Sequence, residues 1–494
     1  MIKQRARSQA IFLRQLPVIL SASLVLASCG DSGGESGAAS DVAQVEANPL
    51  QVQQPVVRED EIQTAPPSLE SPVEESAPTV EPSGIVSTEE VHPYRPDSPY
   101  ADVLKRCVLV NTVEDSCTLD TLPFIGQGAA VPGINDILDR LLVTHDWMGD
   151  RLAEVLQAAP ADLQVLFGST TSILIGSEVR PAFYTGLNGG IQLDPDFLWQ
   201  SLAEKRTVSI EEDYRSDYGR DLGFWFYRRH LIDGERAYEF FDLEDDSTRE
   251  LDDLLIPVVR LLYHELAHAN DYLPPTAMAS LDNSLRVSEA LDQILDQWLS
   301  PQLDALYPLN SETLHKLAQV RFRGIDASET EKALIAADVG LQFAEDGSAS
   351  FYSYNTIRED LAVLFEATMM RLTFGLQSNI AFIDKIDESK DPGCEEYLVG
   401  WGVRNRLANP LVAQRAYWVV SQIYGANADF DQFMANNLGA EETMIEGVDW
   451  CTNNKPDTVQ AARSRTGTNT GTVDAELDKN AERLRLRKER SELR

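Results

Sequence analysis

The segment from residue 251 to residue 272 constrains the fold of this 494-residue chain more than any other part of it. Its apolar residues recur at helical spacing, which predicts one long, largely buried helix. Near its end it carries an H-E-x-x-H pattern formed by His264, Glu265 and His268. Histidines four positions apart lie one turn apart on the same face of a helix, close enough to bind one metal ion. The segment therefore predicts a metal-binding helix in the folded part of the chain.

Glu265 gives this pattern a chemical interpretation. Its side chain is expected beside the two imidazoles, pointing toward a water molecule on the bound metal. Zinc lowers the pKa of such a water to about 7, and a carboxylate can take its proton as general base and pass it to the leaving group. We predict a zinc-dependent hydrolase in which His264 and His268 bind the metal. A chance H-E-x-x-H in an amphipathic helix is the alternative, although the chain contains only six histidines.

A tetrahedral catalytic zinc needs a third protein ligand, and Glu289 is the first candidate for it. It lies twenty-one positions after His268 in the sequence V-S-E-A-L-D. This sequence resembles the helix that supplies the third ligand in thermolysin-like enzymes. The match is imperfect, because the acid that follows, Asp292, stands three positions later rather than four.

The second candidate is Glu359, which opens the sequence E-D-L-A-V-L-F. This sequence resembles the E-D-x-A-x-x-F helix of a group of zinc-binding peptidases and of anthrax-lethal-factor-like domains, although Val363 stands where these families often carry a second glutamate. The resemblance implies that Glu359 binds zinc, and we expect it in that role ahead of Glu289. It also implies a tyrosine seven residues earlier, Tyr352, as a hydrogen-bond donor to the oxyanion of the reaction. Tyr354 is the alternative for this donor.

Asp271 follows His268 by three positions and is expected on the metal-facing side of the helix. Its carboxylate has two equally supported interpretations. It either serves the metal site, by orienting an imidazole in preference to binding the metal, or it is a capping or surface residue near the end of the helix.

The remaining periodicity predicts an α+β fold in which helices dominate. Helical spacing occurs at 134–158, 251–272, 285–299, 357–372 and 411–423, and short strands are expected at 172–175 and 190–193. The resemblance implies a zincin-like metallopeptidase domain, with an active-site helix and a small sheet. In that domain the strand at 190–193 would be the edge strand that pairs with an extended substrate. An ordinary hairpin is the alternative, because Asn188-Gly189 is a strong turn dipeptide.

The N-terminus predicts export and lipid anchoring. Basic residues precede an apolar run at 16–27 that is too short to span a bilayer. The run ends in L-A-S-C, which resembles a bacterial lipobox and implies a lipid on Cys29. An ordinary signal peptide with a nearby cysteine is the alternative. Gly30, rather than an aspartate, follows Cys29, which favours the outer membrane of the cell envelope.

Composition divides the chain into four regions. Residues 1–28 are expected to be the signal peptide and residues 29–95, rich in Ser, Pro, Gly and acids, a disordered acidic tether. Residues 96–454 have globular composition and are expected to form one catalytic domain. Residues 455–494 are expected to be a polar tail with a short helix near its end.

The cysteines that remain after lipidation are even in number, which suits an oxidising compartment. They are Cys107, Cys117, Cys394 and Cys451. Of the three possible connectivities, we expect Cys107 with Cys117 and Cys394 with Cys451, because each closes a local loop. A cysteine metal site is the alternative, but no pair has the two-residue spacing of a structural zinc site.

Net charge and motifs limit the classes of function. With 79 acidic and 42 basic residues the formal charge is −37, which argues against nucleic acid as a partner. We therefore expect a zinc metallopeptidase in the envelope, acting on a polypeptide or another envelope substrate. A zinc amidase acting on cell-wall material and a binding or assembly lipoprotein without catalysis are the alternatives.

Overall fold

The computed structural model describes residues 84–390, 392–425, 427–455 and 485–490. The predicted signal peptide, the lipidation site at Cys29 and most of the predicted tether lie outside these residues. Among the described helices, none combines the length and apolar character that crossing a bilayer requires.

Helices predominate along the described chain, and the strands are short. The α-helices are α1 (Ala101–Val108), α2 (Ile125–Gly128), α3 (Ile134–Leu138), α4 (Asp146–Ala158), α5 (Leu163–Leu166), α6 (Leu202–Lys205), α7 (Leu251–Tyr272), α8 (Val287–Asp292), α9 (Leu299–Leu306), α10 (Glu312–Arg323), α11 (Glu329–Lys332), α12 (Ala336–Glu345), α13 (Ile357–Phe374), α14 (Pro410–Tyr424), α15 (Ala428–Asn436) and α16 (Trp450–Asn453). The strands are β1 (His92–Pro93), β2 (Leu141–Val143), β3 (Ile173–Ile175), β4 (Phe183–Thr185), β5 (Gly190–Leu193), β6 (Phe224–Ile232), β7 (Glu235–Arg236), β8 (Gln377–Asp384), β9 (Val399–Arg404) and β10 (Glu442–Thr443). This composition confirms the predicted α+β class.

The first sheet has the spatial order β1-β2-β3-β5-β4. Strands β2, β3 and β5 are parallel, whereas β1 and β4 run antiparallel to their neighbours. The strand at 190–193, β5, is therefore an interior strand, and the prediction that it forms the edge is wrong. Its apolar Ile191 and Leu193 are buried, as expected for a strand with a neighbour on each side. The edge strand next to β5 is β4, which is joined to β5 in a hairpin through Gly189 in the left-handed conformation (φ 71°).

The second sheet is antiparallel throughout, in the order β10-β9-β8-β6-β7. Its longest strand, β6, is buried along almost its whole length. The six described residues near the C-terminus lie against this strand, where the carboxylate of Glu489 binds Arg229 and Arg236. Part of the predicted polar tail therefore belongs to the folded structure.

Helices α7 and α13 pack against each other in the largest apolar cluster. Helix α13 has buried residues on nearly every face, among them the consecutive run from Leu361 to Phe365, because it lies between α7 and α14. It begins where the Thr356 hydroxyl accepts a hydrogen bond from the Glu359 amide (3.1 Å), and it ends at Gly375 in the left-handed conformation (φ 72°). These two ends determine where Glu359 lies relative to α7.

Several sequence predictions are corrected at the level of element boundaries. The predicted helix at 134–158 is interrupted by β2, whose buried residues pair with β1 and β3. The predicted helix at 285–299 is divided into α8, a short 3₁₀ turn at Leu295–Gln297 and the start of α9. Strand β1 lies just before residue 96, where the catalytic domain is predicted to begin, and it pairs with β2.

The four cysteines form the two expected disulfides. Cys107 is bonded to Cys117, and Cys394 is bonded to Cys451. Since Cys394 and Cys451 are bonded to each other, the carboxylate of Asp449 near them does not complete a cysteine metal site.

We predict that the free energy of unfolding depends strongly on the ion pair between Asp360 and Arg415. Both side chains are buried (4% and 3% exposed), and Arg415 Nη1 donates to Asp360 Oδ1 at 3.0 Å. Substituting Arg415→Met leaves the carboxylate buried without a cation and should lower the free energy of unfolding by about 3–5 kcal/mol, measured by urea unfolding. The control is Arg220→Met, which breaks an exposed pair with Asp217 and should change stability by less than about 1 kcal/mol. Equal effects in both variants would contradict the prediction.

Candidate metal centre

The candidate site lies where α7 and α13 face each other. His264 and His268 are one turn apart on α7, and Glu359 is in the first turn of α13. His264 Nε2 lies 3.1 Å and His268 Nε2 3.3 Å from the same oxygen, Glu359 Oε2. The three donor atoms lie within 4.8 Å of one another. The fold thus brings together the three residues that the sequence predicts as metal ligands.

The chemistry of this donor set suits zinc. Two imidazole nitrogens and one carboxylate oxygen are the ligands of a common class of catalytic zinc site. The side chains are largely but not fully buried, with exposed fractions of 13% for His264, 12% for His268 and 17% for Glu359. Each of the three side chains therefore keeps a small solvent-accessible fraction.

Glu265 lies beside this cluster and is almost fully buried, at 4% exposure. Burial raises the pKa of its carboxyl group, while His264 and His268 oppose that shift. Its Oε2 atom has no hydrogen-bond partner within the described residues. A buried carboxylate oxygen without a partner costs free energy, so this atom is positioned to accept a hydrogen bond from a bound molecule.

Of the two candidate tyrosines, Tyr352 lies at the cluster. Its hydroxyl donates a hydrogen bond to Glu359 Oε1 (3.0 Å), and its ring stacks on His264 with centroids 6.2 Å apart. Burial and the neighbouring Glu359 hold the pKa of the Tyr352 phenol well above its usual value. Tyr354 lies elsewhere, in a second apolar cluster, where its hydroxyl binds Asp346.

Glu366 is a component of the site that sequence reasoning missed. Its Oε2 lies 3.1 Å from His264 Nδ1, the imidazole nitrogen that faces away from Glu359. Its Oε1 accepts a hydrogen bond from Arg260 (3.0 Å) and lies 3.8 Å from Arg228 of β6. Burial alone would raise the pKa of Glu366, but the two arginines outweigh it and lower the pKa well below the usual range.

The sequence position of Glu366 could have identified it as part of the site. It follows Glu359 by seven residues on the same helix, so both carboxylates lie on one face of α13 two turns apart.

The His264 ring lies between these two carboxylates. Its Nε2 atom is hydrogen-bonded to Glu359 and its Nδ1 atom to Glu366. Burial lowers the pKa of this imidazole, but its hydrogen bonds to Glu359 and Glu366 outweigh burial and raise the pKa to about 10.

Glu289, the alternative third ligand, is not part of the cluster. It lies in the first turn of α8, where its carboxylate accepts a hydrogen bond from the Arg286 amide (3.0 Å), and its side chain is 43% exposed. The capping interaction explains its conformation without a metal ion.

Asp271 contacts neither imidazole. It is fully buried at the end of α7, where Oδ1 accepts a hydrogen bond from the Ser300 amide (2.7 Å) and Oδ2 from Arg358 (3.1 Å). The carboxylate thus connects α7 to α9 and to the residue that precedes Glu359. It holds the two ligand helices in register rather than orienting a histidine.

Comparisons of the chain with protein-family models, with curated proteins and with solved structures find no match.

Proposed function

We propose that this protein is a zinc-dependent hydrolase, and specifically a peptidase. The observation that supports this proposal best is the convergence of His264, His268 and Glu359 on one position, with the unpartnered carboxylate oxygen of Glu265 beside it. The three ligands come from two helices that are separated by 84 residues of chain between Tyr272 and Ile357. A chance H-E-x-x-H in an amphipathic helix would not require a carboxylate from a distant helix at that position.

Each residue of the site has a defined task in this proposal. His264, His268 and Glu359 would hold zinc, which when bound lowers the pKa of a coordinated water to about 7. Glu265 accepts a proton from the attacking water and delivers it to the leaving amine. Glu366 fixes the His264 ring through its Nδ1 atom, so that Nε2 is the nitrogen directed at the metal position. Tyr352 orients the Glu359 carboxylate through its Oε1 atom.

The edge strand β4 supports a peptide as the substrate. Tyr184 of β4 contacts Tyr272, in the last turn of α7, with ring centroids 5.3 Å apart. Among the described strands, only β5 pairs with β4, so the other side of β4 forms no strand pairing within the described residues. An extended polypeptide can form strand-like hydrogen bonds with such an edge. This interaction would place a peptide bond beside the metal-binding helix.

We also propose that the protein acts in the bacterial envelope. The L-A-S-C sequence supports a lipid on Cys29, and the two disulfides suit an oxidising environment such as the bacterial envelope. The substrate would then be a polypeptide of the envelope or its surroundings.

We expect one zinc ion per chain in the soluble protein that lacks residues 1–28. The substitutions His264→Ala and Glu359→Ala each remove a ligand and should abolish stoichiometric zinc, measured by inductively coupled plasma mass spectrometry. Glu289→Ala is the control and should retain one zinc, because its carboxylate caps α8. Wild-type protein that takes up no zinc from a zinc-containing buffer would refute the proposal.

Substituting Glu265→Gln should separate zinc binding from catalysis. The amide preserves the size of the side chain but cannot accept a proton, so kcat/KM for a fluorescence-quenched peptide pool should fall by about 100-fold or more. Zinc content should remain one per chain. If the variant cleaves the pool as fast as the wild type, Glu265 is not the base. A zinc-loaded wild type that cleaves no peptide but releases fragments from purified cell wall would favour the amidase.

Substituting Glu366→Gln tests the residue that holds His264. The neutral amide weakens the hydrogen bond to Nδ1 and leaves Arg260 without its ionic partner, so we expect zinc affinity to fall about 10- to 100-fold. The measurement is competition for zinc with a chromophoric chelator. Glu250→Gln, at the residue that precedes α7 and away from the site, is the control. Unchanged affinity in Glu366→Gln would show that Glu366 serves stability alone.

A further inference from the structure

Arg358 lies at the end of α7, close to the candidate metal centre. It precedes Glu359 in the first turn of α13, and its Nη1 donates a hydrogen bond to Asp271 Oδ2 (3.1 Å). Its Cζ atom lies 3.8 Å from the centroid of the Tyr272 ring. Tyr272 follows His268 by four residues on α7, which is one helical turn and a rise of about 6 Å. These contacts place the guanidinium about one turn of helix beyond a proposed metal ligand.

The groups around Arg358 restrict its orientation but leave part of it unused. Its Cζ lies 4.6 Å from the centroid of Trp298, and the Trp298 and Tyr272 rings contact each other with centroids 4.7 Å apart. These cation–π contacts and the ion pair with Asp271 hold the guanidinium in place. Its Nε and Nη2 atoms form no hydrogen bond within the described part of the chain, and 26% of the side chain is exposed. Arg358 therefore retains donors for a bound molecule.

Two further donors at this position lack acceptors. The Nε1 atom of Trp298 and the hydroxyl of Tyr184 are buried, and neither has a hydrogen-bond partner among the described residues. Tyr184 belongs to β4, and its ring contacts Tyr272 with centroids 5.3 Å apart. Burial raises the pKa of the Tyr184 phenol, so the hydroxyl keeps its proton. Because a buried donor without an acceptor costs free energy, an acceptor that binds here would be stabilised.

The charge of Arg358 selects the kind of acceptor. A guanidinium forms its strongest hydrogen bonds with carboxylates and phosphates, and its planar shape allows it to bind two such groups on different edges. Asp271 occupies only Nη1. In a peptide, the acceptors of this kind are the side chains of Asp and Glu and the C-terminal carboxylate.

We propose that Arg358, Tyr184 and Trp298 form a subsite for a carboxylate of the substrate. The inference rests on the proposed function and deepens it by naming the substrate class, a peptide with a carboxylate near the scissile bond. An extended peptide rises about 3.3 Å per residue, so a distance of about 6 Å along α7 corresponds to about two residues. No bond forms or breaks at the subsite, which binds the substrate through charge-assisted hydrogen bonds.

The test compares three pools of fluorescein-labelled hexapeptides of otherwise identical random composition. The first contains one Glu, at each position in turn, and an amidated C-terminus. The second contains Gln in its place and a free C-terminus, and the third, neutral pool contains Gln and an amidated C-terminus. Binding to the metal-free protein without residues 1–28 is measured by fluorescence anisotropy. One of the two carboxylate pools should bind about tenfold or more tightly than the neutral pool, and which one it is identifies the source of the carboxylate.

Conservative variants test the residues of the subsite. Tyr184→Phe and Trp298→Phe each keep an aromatic ring and remove one unpartnered donor, so each should reduce the preference for the carboxylate pool about fivefold or more. A purely structural role would leave this preference unchanged. Arg358→Lys keeps a cation beside Asp271 but loses the second edge of the guanidinium, and it should remove most of the preference. The two aromatic variants decide the outcome if Arg358→Lys does not fold.

A matched control comes from the second sheet. Trp225 of β6 also has a buried Nε1 atom without a hydrogen-bond partner among the described residues. Trp225→Phe therefore removes the same chemical group at a position outside the subsite, and it should keep the preference of the wild type.

The outcomes separate the inference from the proposed function. A wild type that binds neither carboxylate pool better than the neutral pool would overturn the inference and leave the hydrolase proposal intact. Tyr184→Phe and Trp298→Phe variants that both keep the full preference would overturn it as well. A wild type that takes up no zinc would overturn the proposed function, whereas a carboxylate preference of the metal-free protein that these variants lose would still support the subsite.

Discussion

The arrangement of the site depends on the requirement that charged groups inside a protein have partners. Glu366 is buried between α7 and α13, where its carboxylate must be compensated by Arg260, Arg228 and the His264 ring. Removing one member of such a group leaves the others charged in a medium of low dielectric, which is costly. The cluster therefore holds the two helices in one relative position. His264 belongs both to this charged group and to the candidate metal site, so the group also fixes the position of one metal ligand.

The two sheets take different parts in this arrangement. The second sheet contacts the site through Arg228 of β6, which lies close to Glu366. The neighbouring Arg229 binds Glu489 of the C-terminal segment. The first sheet presents the edge strand β4 beside the end of α7. One sheet thus stabilises the ligands, and the other offers backbone groups to a substrate in the proposed function.

Sequence periodicity was informative wherever one long segment determined its own structure. Helix α7 spans Leu251–Tyr272 as predicted, because its apolar residues recur with a helical period. Helix α13 extends the predicted 357–372 by only two residues, although its buried residues lie on nearly every face. The same reasoning failed at 134–158, where the three residues of β2 are equally apolar and are drawn into a sheet by partners at 92–93 and 173–175. The resemblance to zincins also misplaced the edge of the first sheet, since the position of a strand within a sheet is decided by pairing between distant segments.

The sequence by itself determined the residue types and the local spacing of the site. The imidazoles of His264 and His268 lie on one face of a helix because they are four residues apart, and Glu265 lies between them in the chain. Resemblance to known families favoured Glu359 as the third ligand and Tyr352 as the oxyanion donor. It left Glu289 and Tyr354 as alternatives for these roles. Only the tertiary structure brought Glu359 to the histidines, directed Glu289 to its own helix end and joined Glu366, Arg260 and Arg228 around His264. These outcomes depend on how α13 packs against α7, and packing between segments so far apart in the chain is decided by burial and charge pairing that no local pattern encodes.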